Sequence, residues 1–236
     1  MKRRQFLKTV PVGLAVGLSE LELLALEKKE VNKTADVYVT AFGGPYGGLS
    51  RNPTQDIAEH LSEIGYRTEV LPVDYDRAPR RLRQIIKNEK PRIIVSLGTL
   101  GAFDVRVFGD GVYLINDNLV NSQDFYFNVE INVNNNRGGG GIVRQLASVI
   151  GIPASNVKYL KQRFDAAGIK YRMNINTNPN HYAGSGTSEC NFLAFQGIMA
   201  TINSRTKFYF FHVPLDISTN PAKKDNIIRA IGALTN

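Results

Sequence analysis

From Ala35 onward, short apolar runs alternate with amphipathic stretches, and no other feature restricts the fold of this chain so strongly. "ADVYVTAF", "YRTEVLPV" and "RIIVSLG" have the length and apolar content of buried strands. Between them, "TQDIAEHLSEIG" sets Ile57, Ala58, Leu61 and Ile64 along one helical face and closes on Gly65, and "RAPRRLRQIIKNEK" reads as a second helix. "GVYLIN" and "FYFNVEINV" extend the sheet or pair as hairpins. "IVRQLASVIG" and "SNVKYLKQRFDAAG" read as helices, "IKYRMNIN" as a strand, "CNFLAFQGIMATIN" as a helix, "KFYFFHVP" as a strand buried on both faces and "KKDNIIRAIGALT" as a last helix. Unbroken alternation without an internal repeat predicts one α/β domain over 34–236: a single-domain three-layer α/β/α sandwich with an open, mostly parallel, doubly wound sheet. With 43% hydrophobic residues the chain can fill one substantial core.

In such sheets ligands sit beyond the carboxyl ends of the strands. The loops after "VYVTAF" and "IIVSLG", the turn before Cys190 and the end of "FYFFH" therefore belong at one rim.

The first 33 residues differ in kind. Lys2, Arg3, Arg4 and Lys8 precede an uncharged apolar stretch from Val10 to Leu18, the plan of a signal peptide. Arg3-Arg4-Gln5-Phe6-Leu7-Lys8 resembles the twin-arginine export motif, so segment 1–33 is expected to engage an export translocon and carry the folded protein out of the cytoplasm. The alternative is a basic amphipathic helix from Leu7 to Leu26, resting on the body of the protein or on a membrane surface, with a cytoplasmic location as the alternative to export.

The net charge of +8 suits an acidic partner, yet seven basic against four acidic residues in the first 33 account for part of it. The remaining basic residues follow no nucleic-acid-binding pattern, and none is expected to bind nucleic acid. One cysteine and three separated histidines, His60, His181 and His212, imply no disulfide framework, no metal and no cofactor. Gly43, Gly44, Gly47 and Gly48 fit neither GxGxxG nor GxxxxGK[ST], and Gly138 to Gly141 read as a turn.

Cys190, the lone cysteine, has two readings. Free cysteine usually packs as a small apolar side chain. Here, however, Phe192, Phe195, Ile198 and Met199 recur at helical spacing just after it, which places Cys190 in the first turn of a helix. The positive end of the helix favours thiolate there, and a nearby backbone N–H can receive an oxyanion. His212 ends a strongly apolar strand, where a histidine is ordinarily part of the core or rim. Both residues nonetheless fall at the same sheet rim, where they can meet although 22 residues apart.

These stretches resemble the pyroglutamyl peptidase I family, also called pyrrolidone-carboxylate peptidases, cysteine enzymes that remove an N-terminal 5-oxoproline. "VTAFGGPYGGLSRNPT" is similar to the family's VTGF-x-PFGG-x-x-x-NPS, with one extra residue, while "VLPVDYDRA" and "IIVSLGT" resemble its second and third strands. "SGTSECN" matches the nucleophile motif AGT-x-x-CN and "FFHVP" the histidine motif, so the resemblance, running from about Ala35 to Leu215, implies catalytic roles for Cys190 and His212. It implies an α/β/α sandwich, and substrate-binding roles for Phe42 and Tyr46, at the two aromatic positions that sandwich the substrate ring.

Three positions depart from the pattern. Aligning Asn116 in "FGDGVYLIN" with the end of the family's Pro-Glu-Arg-x-x-x-Asn strand puts Gly111 at the Glu position and Asp110 beside it. Asp110 is thus the expected catalytic acid, with Asp104 behind it. Thr99 takes the place of a family Gln that helps hold the lactam, and a family Arg near the oxyanion has no counterpart. The expected activity is that of a cysteine-dependent omega peptidase acting through a thioester on a peptide or small amide with a blocked N-terminus. The alternatives are a catalytically impaired binding protein for peptide ends on the same scaffold, and a redox-sensitive surface thiol at Cys190.

Overall fold

The computed structural model describes residues 36–45, 49–100, 105–108, 111–114, 126–134, 149–174 and 189–235. Ten strands are described: β1 (Val37–Gly43), β2 (Arg67–Pro72), β3 (Ile93–Leu100), β4 (Val105–Phe108), β5 (Gly111–Leu114), β6 (Asn128–Glu130), β7 (Asn132–Asn134), β8 (Val149–Gly151), β9 (Arg172–Asn174) and β10 (Lys207–Pro214). The described helices are α1 (Pro53–Glu63), α2 (Arg77–Glu89), α3 (Ala154–Ala166), α4 (Glu189–Thr201) and α5 (Pro221–Ala233).

Six strands form the main sheet in the order β2-β1-β3-β10-β6-β9. The first four run parallel, β6 runs antiparallel to β10, and β9 follows β6. Placing β1 and β10 inside this sheet explains their composition. Val37 to Phe42 and Phe208 to Pro214 are all buried, so neither face of these strands meets water. Chain order reverses beside β1, because β2 lies on one side of it and β3 on the other. The crossovers through α1 and α2 therefore cover opposite faces. On one face α2 packs beside α4; on the other α1 touches α5, which touches α3.

The alternation predicted from sequence is thus the architecture observed, an α/β/α sandwich. Two local expectations change. "GVYLIN" leaves the main sheet: Gly111–Leu114 pairs with Val105–Phe108 in a separate two-stranded ribbon. The end of "IVRQLASVIG" is strand rather than helix, because Val149–Gly151 pairs with Asn132–Asn134. Isolated helical periodicity over so few residues is weak beside a ladder of backbone hydrogen bonds offered by a neighbouring strand. Segment 1–33 lies outside the described residues.

α4 lies closely against the sheet because it carries a glycine where it crosses β10. A Cβ on Gly197 would stand 2.3 Å from the Phe208 ring, so only a residue without a side chain lets the helix approach to this depth. Arg83 of α2 donates to Gln196 of α4 at 2.8 Å, tying the two helices of this face together.

Candidate active site

Side chains alternate between the faces of each strand, so Thr40 and Phe42 of β1, Ser96 and Gly98 of β3, and Phe210 and His212 of β10 all project toward α2 and α4. The 2.6 Å contact between the Thr40 and Ser96 hydroxyls and the edge-on packing of Phe210 on His212 agree with this alternation. At the next level toward the carboxyl ends, Gly98 pairs with His212, and Phe42 continues the β1 register one step past Ala41 to stand level with them. This row is the floor of the site.

Cys190 is the second residue of α4, as its place in the first helical turn requires, and is half-buried. Its sulfur hangs over Gly98, where an added Cβ would come within 2.7 Å of Sγ. Helix start, glycine floor and histidine strand therefore converge, and the Cys190 sulfur lies near enough to the His212 ring to raise its pKa.

On its other side His212 meets a carboxylate. Glu130 Oε1 lies 2.7 Å from His212 Nδ1, with both side chains almost wholly removed from water. The antiparallel run of β6 makes this possible: Asn128 stands opposite His212, which sets Glu130 one pleat deeper on the same face. With Nδ1 engaged by Glu130, Nε2 is the ring nitrogen left for Cys190. Burial alone would strip the charge from this imidazole. Hydrogen bonding and charge from Cys190 and Glu130 outweigh burial, and the His212 pKa is pushed up to about 10. The arrangement is a sulfur, an imidazole held as the cation, and a carboxylate that fixes the ring.

The carboxylate on His212 Nδ1 is Glu130; the expected acids, Asp110 and Asp104, lie outside the described residues. The signal for Glu130 was present in the sequence. It is a lone carboxylate inside the apolar "FYFNVEINV", and Glu130 to Asn135 repeats the Glu-Arg-x-x-x-Asn spacing with Ile131 in the arginine place. Aligning on Asn116 instead of Asn135 hid it.

Thr99 is also placed differently from expectation. One residue past Gly98, it points to the opposite face, where its hydroxyl donates to Asn52 Oδ1 at 2.7 Å. Asn52 caps α1; its Oδ1 also accepts from the Thr54 backbone N–H at 3.1 Å and lies 2.8 Å from the Thr54 hydroxyl. Thr54 Oγ1 in turn lies 3.0 Å from the Phe42 carbonyl. This buried network fastens the carboxyl ends of β1 and β3 to the start of α1, so Thr99 supports the rim from behind. Phe42 is buried and on the site's face, while Tyr46 lies outside the described residues.

Comparison with solved structures agrees with this architecture. Pyroglutamyl peptidase I of Bacillus amyloliquefaciens superposes with a TM-score of 0.55 at 19% identity, covering 84% of this chain and 95% of that one. Pyrrolidone carboxyl peptidase of Thermococcus litoralis gives 0.54 at 20% identity over 84% and 90%. The chain has the pyroglutamyl peptidase I fold. A variant of the Pyrococcus furiosus pyrrolidone carboxyl peptidase gives the same score and identity over 84% and 95%. In sequence, the chain is 39% identical to the pyrrolidone-carboxylate peptidase of Thermococcus litoralis over 67 residues, 26% of this chain. The match spans 30% of that protein, and no family model matches the chain. The resemblance to pyroglutamyl peptidase I therefore appears in both fold and sequence.

Proposed function

We propose that this protein is a cysteine-dependent omega peptidase that removes an N-terminal pyroglutamyl or similar blocked residue from peptides. The observation that carries the reading is the Cys190–His212–Glu130 array, formed from a helix and two strands far apart in sequence. The fold shared with pyroglutamyl peptidases and the local sequence match to one of them support it.

In this reading Cys190 Sγ, as thiolate, attacks the carbonyl carbon of the blocked residue. The carbonyl electrons move to oxygen, and backbone N–H groups at the start of α4 stabilise the oxyanion. Collapse re-forms the carbonyl and breaks the C–N bond, while the imidazolium of His212 gives its Nε2 proton to the departing amine. A thioester remains on Cys190. Neutral His212 then takes a proton from water as the oxygen attacks the thioester, the thiolate leaves, and the imidazolium is restored. Throughout, Glu130 accepts the Nδ1 hydrogen bond and holds the ring in the tautomer that aims Nε2 at sulfur. Phe42 supplies an apolar wall for a flat ring.

One observation favours a second reading, a binding protein for peptide ends on the same scaffold. The residue in the place of the family's lactam-holding Gln, Thr99, is turned to the far face. The twin-arginine-like segment extends the proposal to an exported protein.

Incubation with pyroglutamyl-coumarylamide and a panel of other N-blocked aminoacyl amides tests the proposal. Release of coumarylamine that disappears in Cys190→Ser is expected. Saturable binding of the same compounds without release would replace the peptidase reading by the binding-protein one.

A further inference from the structure

Asn128 stands directly opposite His212 in the β6–β10 pair, and directly paired residues project from the same face of a sheet. Alternation along β6 gives the same answer, since Glu130, two residues on, reaches His212 Nδ1. Asn128 lies one pleat nearer the carboxyl end of β10 than Glu130, on the side where the site opens.

The residue is only 5% exposed, yet among the described residues its amide has no hydrogen-bond partner. The neighbouring imidazole cannot serve, because Glu130 and Cys190 occupy it. A buried carboxamide left without a partner costs free energy that a leucine of the same shape would not. Such a group is best explained by a ligand that completes its hydrogen bonds.

We propose that Asn128 is a specificity-determining residue that binds the amide edge of a lactam substrate. This rests on the omega-peptidase reading and names the group that recognises the blocked end. A lactam is locked in the cis form, so its N–H and C=O lie side by side on one edge. A primary carboxamide offers the complementary pair, Oδ1 to accept from the N–H and Nδ2 to donate to the C=O. An open-chain trans amide presents donor and acceptor on opposite edges and can satisfy only one of them. Asn128 thereby supplies, from β6, the lactam contact that Thr99 does not make from β3.

The test measures iodoacetamide alkylation of Cys190 in the full-length protein, with and without 2-pyrrolidone, in wild type, Asn128→Leu and Asn128→Ser. Thermal midpoints are recorded in parallel. In wild type 2-pyrrolidone should slow alkylation, and N-methyl-2-pyrrolidone, which lacks the N–H, should protect about tenfold less well. Asn128→Leu should weaken 2-pyrrolidone protection about tenfold to hundredfold, scored against that variant's own unprotected rate, with the midpoint unchanged or raised. Asn128→Ser gives the same readout should the leucine variant not fold. Equal protection in wild type and variants overturns the assignment, as does a falling midpoint with protection retained, which marks a structural asparagine. Absence of any protection in wild type overturns it too. Turnover of pyroglutamyl-coumarylamide, measured separately, decides the peptidase reading on its own, so the two can fail independently.

Discussion

Gly98 is the position at which this site is most exposed to a single added methyl group. In Gly98→Ala the new Cβ would stand 2.7 Å from Cys190 Sγ, 2.7 Å from Phe210 Cζ and 2.9 Å from Phe210 Cε1. Ordinary carbon contacts begin near ~3.5 Å, so the methyl falls short of clearance by about 0.8 Å on two sides at once. Phe210 has no room to retreat: it is fully buried, and its ring packs edge-on against His212 at 5.0 Å. Relief must come from lifting Cys190 or from tilting Phe210 into the imidazole, and either parts sulfur from Nε2. A displacement on the order of 1 Å at a reacting atom costs about 10²-fold in rate. Overpacking of this kind costs about 1–3 kcal/mol, and for a domain of this size each kcal/mol lowers Tm by about 2–4 °C. The assay pairs the second-order rate of Cys190 alkylation at neutral pH with kcat/KM on pyroglutamyl-coumarylamide and a thermal melt. Gly98→Ala should lose about two orders of magnitude in both rates while remaining folded. Rates within a few-fold of wild type would show that the sulfur does not rest on Gly98, and the geometry argued above would be wrong.

Other expectations follow from the same contacts. Glu130→Gln should lower turnover by about 10²- to 10⁴-fold, since the ring loses the carboxylate that fixes and charges it, whereas Asp110→Asn should leave turnover near wild type. With its folded pKa raised to about 10, His212 contributes stability that is fully present below its unfolded value near ~6.5 and is lost as pH rises through that of the folded state. The Tm advantage of wild type over Glu130→Gln should accordingly shrink between those limits, and melts across the range check the sign. Asn52→Ala should cost about 2–4 kcal/mol by denaturant unfolding, because it removes the cap of α1 and the acceptor shared by Thr54 and Thr99. Gly197→Ala should destabilise by about 1–3 kcal/mol, since its Cβ would enter the Phe208 ring.

Much of the site was legible before any coordinates. The helix with Cys190 in its first turn shows in the spacing of Phe192, Phe195 and Ile198, and the histidine strand in the unbroken apolar run before His212. Local patterns fix local elements, because burial periodicity and capping act within a few residues. The acid was harder to find. Asp110 and Glu130 are both carboxylates near plausible strands, and choosing between them depends on which strand pairs with β10. The ribbon of Val105–Phe108 with Gly111–Leu114 and the antiparallel docking of Asn128–Glu130 are outcomes of strand pairing, a contest among distant segments.

What the chain determined by itself is the alternation of strand and helix, the doubly wound sandwich that follows from it, and the placing of thiol and imidazole at one rim. Only the tertiary structure decided that Glu130 charges the imidazole, that Thr99 faces away and that Asn128 faces in. The physical reason is that a strand's side chains point to alternate faces. A shift of one residue in register, or a different neighbour in the sheet, exchanges what is buried beside the sulfur for what is buried behind it.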